Sequence, residues 1–264
     1  MRAHLRGLWR YRGFVIGSIQ REFQARYLNS LLGAGWSLLN PLAMIVIYTV
    51  IFSHIMQSRL PGVAGPYGYS IFLCAGVLTW GLFAEIVGRG ANIFIEHANL
   101  IKKLDFPRIC LPAIVVGSAL LNFTIIFTIF TGFLLISGNF PGLVFFELAP
   151  VLATVVALAT GLGVAFGVLN VFFRDVGQFV GVMLQFWFWF TPIVYPLAIL
   201  PGWALGWVKA NPMTWLIGAC QSVLVAGVAP DWAVLAPVFV ASLMLCAFAF
   251  ASFRKRAGDM VDEL

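Results

Sequence analysis

Long apolar runs separated by short polar stretches dominate the pattern along this chain. A helix needs roughly 20 apolar residues to cross a bilayer, and six runs approach or exceed that length. They lie at about residues 32–55, 69–88, 111–137, 148–171, 179–195 and 232–253. The pattern predicts an all-α membrane protein, with six transmembrane helices in a single transmembrane domain over residues 1–264.

The first 30 residues follow a different pattern, in which apolar positions recur at helical spacing. The apolar positions are Ile16, Ile19, Phe23 and Tyr27, and the polar positions are Gln20, Arg21, Glu22, Gln24 and Arg26. A basic amphipathic helix of this kind lies on a membrane surface without crossing it, so we expect an interface helix within 1–30. The alternative is a solvated basic tail. Glu22 and Arg26 are also spaced to pair one turn apart.

Prolines interrupt the segment between the last two spans. Pro196, Pro201 and Pro212 break it, and its apolar run, 213–226, is too short to cross a bilayer. Apolar runs of this length are typical of re-entrant or interfacial helices. We therefore expect 196–226 to be an extracytoplasmic re-entrant region.

The distribution of positive charge predicts the orientation. Six of the 16 Lys and Arg residues lie in the first 26 positions, and three more, 254–256, follow the last span. Six spans place all but Arg59 and Lys209 on one side of the membrane. Because loops rich in Lys and Arg stay in the cytoplasm, both termini are predicted to be cytoplasmic.

Composition excludes a water-soluble protein. The 264 residues are 61% hydrophobic and 10% charged, against about 25% charged in soluble domains. The mean hydropathy is +0.97. The four cysteines show no C-x-x-C spacing, so the sequence suggests neither a zinc site nor a redox pair.

Motifs for catalysis are missing from the sequence. His4, His54 and His97 have no partner at metal-ligand spacing, and no G-x-x-x-x-G-K-[ST], G-x-S-x-G or H-E-x-x-H motif occurs. We therefore expect no catalytic residue, no metal and no cofactor in this chain, and no nucleic-acid partner. A multi-span chain without these groups resembles a conduit, and any energy for its work would have to come from a partner.

Two pairs of charged residues lie near predicted cytoplasmic span ends. Glu85 and Arg89 are one turn apart, and they either neutralise each other or form a gate or substrate contact. Arg174 and Asp175 lie where the chain re-enters the membrane. They either end one helix and cap the next, or act at the cytoplasmic mouth.

The polar stretch 92–106 is the best docking surface for a partner. Its apolar positions are Ile93, Phe94, Leu100, Ile101 and Leu104, and its polar positions are Glu96, His97, Asn99, Lys102, Lys103 and Asp105. Pro107 ends the predicted helix. The alternative is a solvated connecting helix lying on the membrane.

Several stretches taken together resemble one family. They are LLGAGWSLLNPLAMIVIYTVIFSHI, NLIKKLDFPRICLP, NVFFRDVGQFVGVMLQFWFWFTPIVYPLAILP and NPM. In this order, and over nearly the whole chain, they resemble the permease subunits of type-2 ATP-binding-cassette exporters. The similarity is greatest to the permeases that export O-antigen and capsular polysaccharide.

The resemblance implies an architecture and partners. Such permeases have an interface helix, six spans and two short re-entrant helices, and they form homodimers in the bacterial inner membrane. Two separate ATPase subunits, which hold ATP and Mg, drive a lipid-linked polysaccharide outward. By this resemblance 92–106 is the coupling helix, with Glu96, His97, Asn99, Leu100, Lys102 and Lys103 facing the ATPase.

The resemblance also implies a channel lined by the first and fifth spans and rich in aromatic side chains. The candidates here are Trp36, Tyr48, Phe52, Phe186, Trp187, Phe188, Trp189, Phe190 and Tyr195. Aromatic rings offer large rigid surfaces to the C–H faces of sugars. Five adjacent rings cannot all face one lumen, because successive helical residues point about 100° apart. Anchoring at the membrane interface is the alternative role.

Other functions remain open at this point. They are a type-2 permease for a teichoic-acid-type polymer, a lipid or a drug, a membrane-embedded glycan or lipid transferase, and an ion-coupled carrier. Gly161, Gly163 and Gly167 also allow close helix contact, either between subunits or within one.

Overall fold

The computed structural model describes residues 11–25, 43, 46, 47, 67–103 and 108–263. Within them every regular element is a helix. Only three helical positions, 43, 46 and 47, are described within the predicted first span, 32–55. Trp36, Tyr48 and Phe52 lie outside the described residues.

Six helices of the described residues are longer than ten residues. They are α1 (Arg12–Ala25), α2 (Gly68–Glu96), α4 (Cys110–Ile136), α5 (Leu148–Phe172), α6 (Asp175–Phe190) and α9 (Trp232–Arg256). The shorter ones are α3 (Ala98–Lys103), α7 (Gly202–Ala210), α8 (Pro212–Gln221) and α10 (Asp259–Glu263). Short 3₁₀ turns cover Gly142–Glu147 and Leu197–Ile199, and a π turn, Ser222–Ala226, extends α8.

Four helical segments of the described chain are long and apolar enough to cross a membrane. They are Gly68–Glu96, Cys110–Ile136, Gly142–Phe172 and Trp232–Arg256. These segments correspond to the predicted second, third, fourth and last spans. The described part of the protein is therefore all-α, with several helices suited to cross a membrane, while the count of six spans and the cytoplasmic termini stay predictions.

The fifth predicted span, 179–195, differs from the helix that forms there. α6 begins four residues earlier and ends at Phe190, so its 16 residues extend about 24 Å. It ends because Pro192 forces Thr191 out of the helical conformation, to φ −106° and ψ 135°. α6 is shorter than the roughly 30 Å hydrocarbon core, and a non-helical segment follows it.

α2 lies at the centre of the described bundle and packs against α4, α5, α6 and α8. Glycines let it approach α5 closely. A Cβ atom on Gly90 would lie 2.8 Å from Gly163 Cα, and one on Gly167 would lie 2.5 Å from the Gly90 carbonyl oxygen. Gly161 lies equally close to Cys246 on α9. These three α5 glycines thus serve helix contacts within one chain.

The region 196–226 forms two short helices, α7 and α8. The Asn211 side chain accepts a hydrogen bond from Met213 N and caps α8, and Pro212 occupies the first helical position. Gly227 ends the segment in the left-handed conformation, with φ +63°, that glycine adopts without steric cost. Two short helices therefore precede the last span, and their re-entrant, extracytoplasmic position stays a prediction.

Candidate functional site

The aromatic run of α6 divides between two faces of the helix. Phe186, Trp189 and Phe190 are exposed, whereas Trp187 and Phe188 are half-buried. The expectation that five adjacent rings cannot share one face therefore holds in the structure. Only the first three are available to another molecule.

The exposed face of α6 continues over the whole helix. Its members are Asp175, Gln178, Phe179, Val182, Gln185, Phe186, Trp189 and Phe190. Their spacing of one, three or four residues places them on one stripe, which we call the α6 face. It combines rigid rings with two carboxamides that both donate and accept hydrogen bonds. Phe179, Gln178 and Gln185 were missed as candidates, although their helical spacing from Phe186 was visible in the sequence.

The inward rings fix the orientation of the α6 face. The Trp187 ring meets Phe83 edge-on at a centroid distance of 5.2 Å, and Trp80 lies 5.9 Å from Phe188. The Trp187 indole N–H donates to Asn211 Oδ1 over 2.9 Å. Because these contacts hold α6 against α2, the outward rings are presented in a fixed direction.

A polar junction joins the end of α6 to the short helices. Asn211 Nδ2 donates to Thr191 Oγ1 over 2.9 Å, and Thr191 is fully buried. The half-buried Tyr195 donates its hydroxyl to the Trp189 carbonyl oxygen over 2.8 Å. Tyr195 thus closes the last turn of α6, and α7 and α8 are tied to the helix that carries the rings.

The start of α6 is capped by a residue outside the predicted pair. Arg174 and Asp175 are both exposed, and Arg174, at the cap position, makes no side-chain cap hydrogen bond. Instead Asn170 Oδ1, from α5, accepts from Gly177 N over 2.9 Å. Asn170 Nδ2 donates to the Ala91 carbonyl oxygen over 2.8 Å, which links the α6 start to α2. The Arg174 side chain therefore does not cap α6, whereas Asp175 lies in the first turn, where a carboxylate is favourable at the helix N-terminus.

The predicted coupling segment consists of the end of α2, a break at His97, and α3. Ile93, Phe94 and Ile101 are buried, and Leu100 packs beside them. His97 Nδ1 lies 3.1 Å from the Ile93 carbonyl oxygen. The exposed residues are Glu96, Asn99 and Lys102. The Lys103 side chain and residues 104–107 lie outside the described part.

Glu85 and Arg89 belong to a larger polar cluster that joins three helices. Arg89 Nη1 lies 3.5 Å from Glu85 Oε1, while Arg89 Nη2 donates to Glu22 Oε2 over 2.5 Å. Ser118 donates to the same Glu22 oxygen over 2.6 Å, and Asn122 Nδ2 donates to Glu85 over 3.0 Å. The structure thus corrects the placement of Glu22 on the outer polar face of α1. Its predicted partner, Arg26, lies outside the described residues.

Among the described residues, no three His, Cys, Asp or Glu side chains are grouped closely enough to hold a metal ion. Two described surfaces are candidates for contact with another molecule. The α6 face offers rings, two carboxamides and the Asp175 carboxylate, and the α3 region offers a short polar surface.

Comparison with known proteins adds a family. A family model described as ABC-2 type transporter matches residues 15–225. The O-antigen export system permease protein RfbA of Myxococcus xanthus is 29% identical over 264 residues, covering 98% of each chain. A protein of the same name from Klebsiella pneumoniae is 31% identical over 208 residues, 78% of each chain. The polysialic acid transport protein KpsM of Escherichia coli is 22% identical over 250 residues, 91% of this chain and 92% of that protein.

The family model covers more than half of the chain, and the relatives match it over most of their length. The resemblance recognised in the sequence is confirmed: this protein belongs to the ABC-2 type transporter family, as a multi-pass membrane permease.

Proposed function

We propose that this protein is the channel-forming subunit of an ATP-driven exporter that moves a lipid-linked polysaccharide of the O-antigen type from the cytoplasm to the periplasm. The observation that carries the proposal is the α6 face, an exposed stripe of rings and carboxamides on a helix held rigidly from behind. The names of the relatives, O-antigen export permease and polysialic acid transport protein, support a glycan as the substrate.

The chemistry of the α6 face suits a sliding glycan. The flat C–H faces of sugars pack on aromatic rings, which lose little conformational entropy because they have few rotatable bonds. The carboxamides of Gln178 and Gln185 can exchange hydrogen bonds with successive hydroxyl groups. Many weak contacts in a row hold a polymer without a single deep binding site, so the chain can move along the helix.

Two copies of the protein would complete the channel. In this proposal the α6 face of each copy lines the lumen, together with Trp36, Tyr48 and Phe52 of the first span. The half-buried Trp187 and Phe188 then support the wall from behind, and the channel surface itself is formed by Phe186, Trp189 and Phe190. Arg174 and Asp175, at the exposed start of α6, would lie at the cytoplasmic mouth.

ATP would be hydrolysed by a separate partner. Two nucleotide-binding subunits, carrying ATP and Mg, would dock in the cytoplasm on the surface formed by Glu96, Asn99 and Lys102. The apolar residues behind this surface support the proposal, because Ile93, Phe94 and Ile101 anchor α3 to the bundle. The assembly would lie in the bacterial inner membrane, with this chain as its transport subunit and not an enzyme.

The proposal is tested by purifying the tagged permease from its source bacterium in mild detergent and again in lipid nanodiscs. We expect a nucleotide-binding subunit to co-purify in equal amount and to hydrolyse ATP in a vanadate-sensitive manner. Deleting the permease gene should abolish surface polysaccharide. Absence of an ATPase from both preparations, or an unchanged surface glycan in the deletion strain, would contradict the proposal.

A further inference from the structure

The cluster around Arg89 lies where α1, α2 and α4 meet. Its guanidinium group contacts Glu22 on α1 and Glu85 on α2. The Arg89 and Glu22 side chains are each 27% exposed, and the Glu85 side chain is 20% exposed, so most of each side chain is buried. Ionised groups in a membrane protein are costly unless they are paired, and among the described residues Glu22 and Glu85 both contact the Arg89 guanidinium group.

Each carboxylate also holds α4. Ser118 donates to Glu22 and Asn122 donates to Glu85, one turn apart on the same helix. These hydrogen bonds satisfy acceptor positions that Arg89 leaves open. The cluster is therefore a joint that connects three helices, with Arg89 at its centre.

Close packing beside the cluster determines where α1 lies. The Ile19 side chain rests against Gly117 on α4, and a Cβ atom at position 117 would collide with Ile19 Cδ1. Ile19 is three residues before Glu22 and lies on the same side of α1. Thus α1 is seated on α4 by apolar contact, while its ion pair with Arg89 ties it to α2.

α2 connects this joint to the proposed ATPase-docking surface. Arg89 is seven residues before Glu96, a distance of about 10 Å along one continuous helix, and α3 follows after the break at His97. A helix of this length moves as a rigid body over such a short distance. Ile101 of α3 belongs to the same buried apolar cluster as Ile93 and Phe94 of α2. Because of this packing, displacement of α3 would move the end of α2, carry Arg89 with it and pull on Glu22.

We propose that Arg89 is a positioning residue that transmits movement of the coupling segment to the interface helix α1 through Glu22. This inference rests on the proposed function, since it requires an ATPase that moves α3. Movement of α2 would then reach α1 through this ion pair, in addition to reaching α5 through the direct packing of α2 on α5. The interface helix α1 would then move during the transport cycle, in addition to anchoring the protein at the membrane surface.

The test compares export with ATP use in the assembled complex. Glu22→Gln and Arg89→Gln remove the ion pair, and Arg21→Gln is the matched control, because the exposed Arg21 bonds locally to Ser18. Each variant is expressed with the partner ATPase in the permease-deleted source strain. Surface glycan is measured by mild periodate oxidation and hydrazide-dye labelling, and ATP turnover is measured per purified complex.

We expect both ion-pair variants to assemble and to keep ATP turnover within about twofold of wild type. Glycan exported per ATP should fall about fivefold or more, the lower end of typical coupling between sites. The Arg21→Gln control should match wild type. A double variant, Glu22→Lys with Arg89→Glu, keeps two carboxylates and one cation and should recover most of the loss.

A purely structural role gives a different result. Export and ATP turnover would then fall together, in proportion to the amount of folded complex, and the ratio between them would stay at the wild-type value. That outcome would overturn the inference, as would a double variant that exports no better than its single parents. If Arg89→Gln fails to assemble, Glu22→Gln carries the test, since its amide still accepts from Ser118. Failure of the proposed function itself is distinguishable, because wild type would then show no ATP-dependent export.

Discussion

At the scale of single residues, Gly167 shows how a missing side chain brings two spanning helices together. Its hydrogen atoms face the Gly90 carbonyl oxygen and the Phe94 ring of α2, and a methyl group there would lie 2.5 Å from that oxygen. Backbone atoms cannot move aside as a flexible side chain can. The Gly167→Ala variant should therefore lose about 1–3 kcal/mol of stability, as overpacked cores do. A lower midpoint in thermal aggregation, measured in detergent, is the expected signal.

The matched control is Gly132→Ala in α4, where a new Cβ atom meets nothing within 4 Å. Alanine favours a helix over glycine by up to about 1 kcal/mol, so this variant should be as stable as wild type or slightly more stable. Equal midpoints for Gly167→Ala and Gly132→Ala would show that α2 and α5 are not in close contact at this position.

Glu22 marks the limit of prediction at this scale. Local spacing suggested Arg26, which lies outside the described residues, as a partner. The partners that the structure describes, Arg89 and Ser118, lie 67 and 96 positions away and could not be read from local spacing. Periodicity reports which face of a helix a residue occupies and not which distant helix covers that face. The pairing of Glu85 with Arg89, by contrast, was visible in the sequence because both lie on one helix.

At the scale of elements, apolar runs predicted the helices well and their ends less well. α2 was expected to end near residue 88 but continues to Glu96. The polar residues that interrupt the run, Arg89 and Asn92, bond to neighbouring helices and to the preceding turn, so the backbone continues as a helix. α6 ends early for a local reason, the proline at 192. A hydropathy profile marks polar residues such as Arg89 and Asn92 as the end of a span, although the helix continues through them. It does not mark Pro192, where α6 ends.

The junction of α6 with α8 yields a prediction at the same scale. Asn211→Ala removes the cap of α8 and leaves the Trp187 indole N–H without its acceptor. The combined loss should be about 2 kcal/mol or more. Asn211→Asp keeps the acceptor oxygen for both groups and should lose less. Thermal midpoints and protease cleavage between α7 and α8 would report the change.

Asn139→Ala is the control for this series, because in the described structure the exposed Asn139 side chain donates only to the nearby Ser137 carbonyl oxygen. It should leave both readouts unchanged. If Asn211→Ala behaves like Asn139→Ala, the junction does not hold the short helices against α6.

At the scale of the whole molecule, the proposed function assigns two different uses to the exposed apolar surface. A membrane protein must present apolar side chains to lipid, and the exposed aromatic residues on α9 satisfy that need. The α6 face differs because its rings alternate with Gln178 and Gln185, whose carboxamides find no hydrogen-bond partner among lipid tails. This mixture favours contact with a hydroxylated polymer. The sequence indicated that rings were present in this region, but only the packing of Trp187 and Phe188 shows which rings point outward.

Two phenylalanines of equal exposure separate these uses. Phe186 on α6 is 64% exposed and Phe248 on α9 is 67% exposed, so truncating either one removes a similar amount of apolar surface. We expect Phe186→Ala to lower surface polysaccharide about twofold to tenfold, since a single ring contact contributes about 0.5–1.5 kcal/mol. Phe248→Ala should export normally at the same level of membrane-inserted protein. Equal effects from both variants would mean that the α6 rings face lipid, and the channel would then have to be formed by other helices.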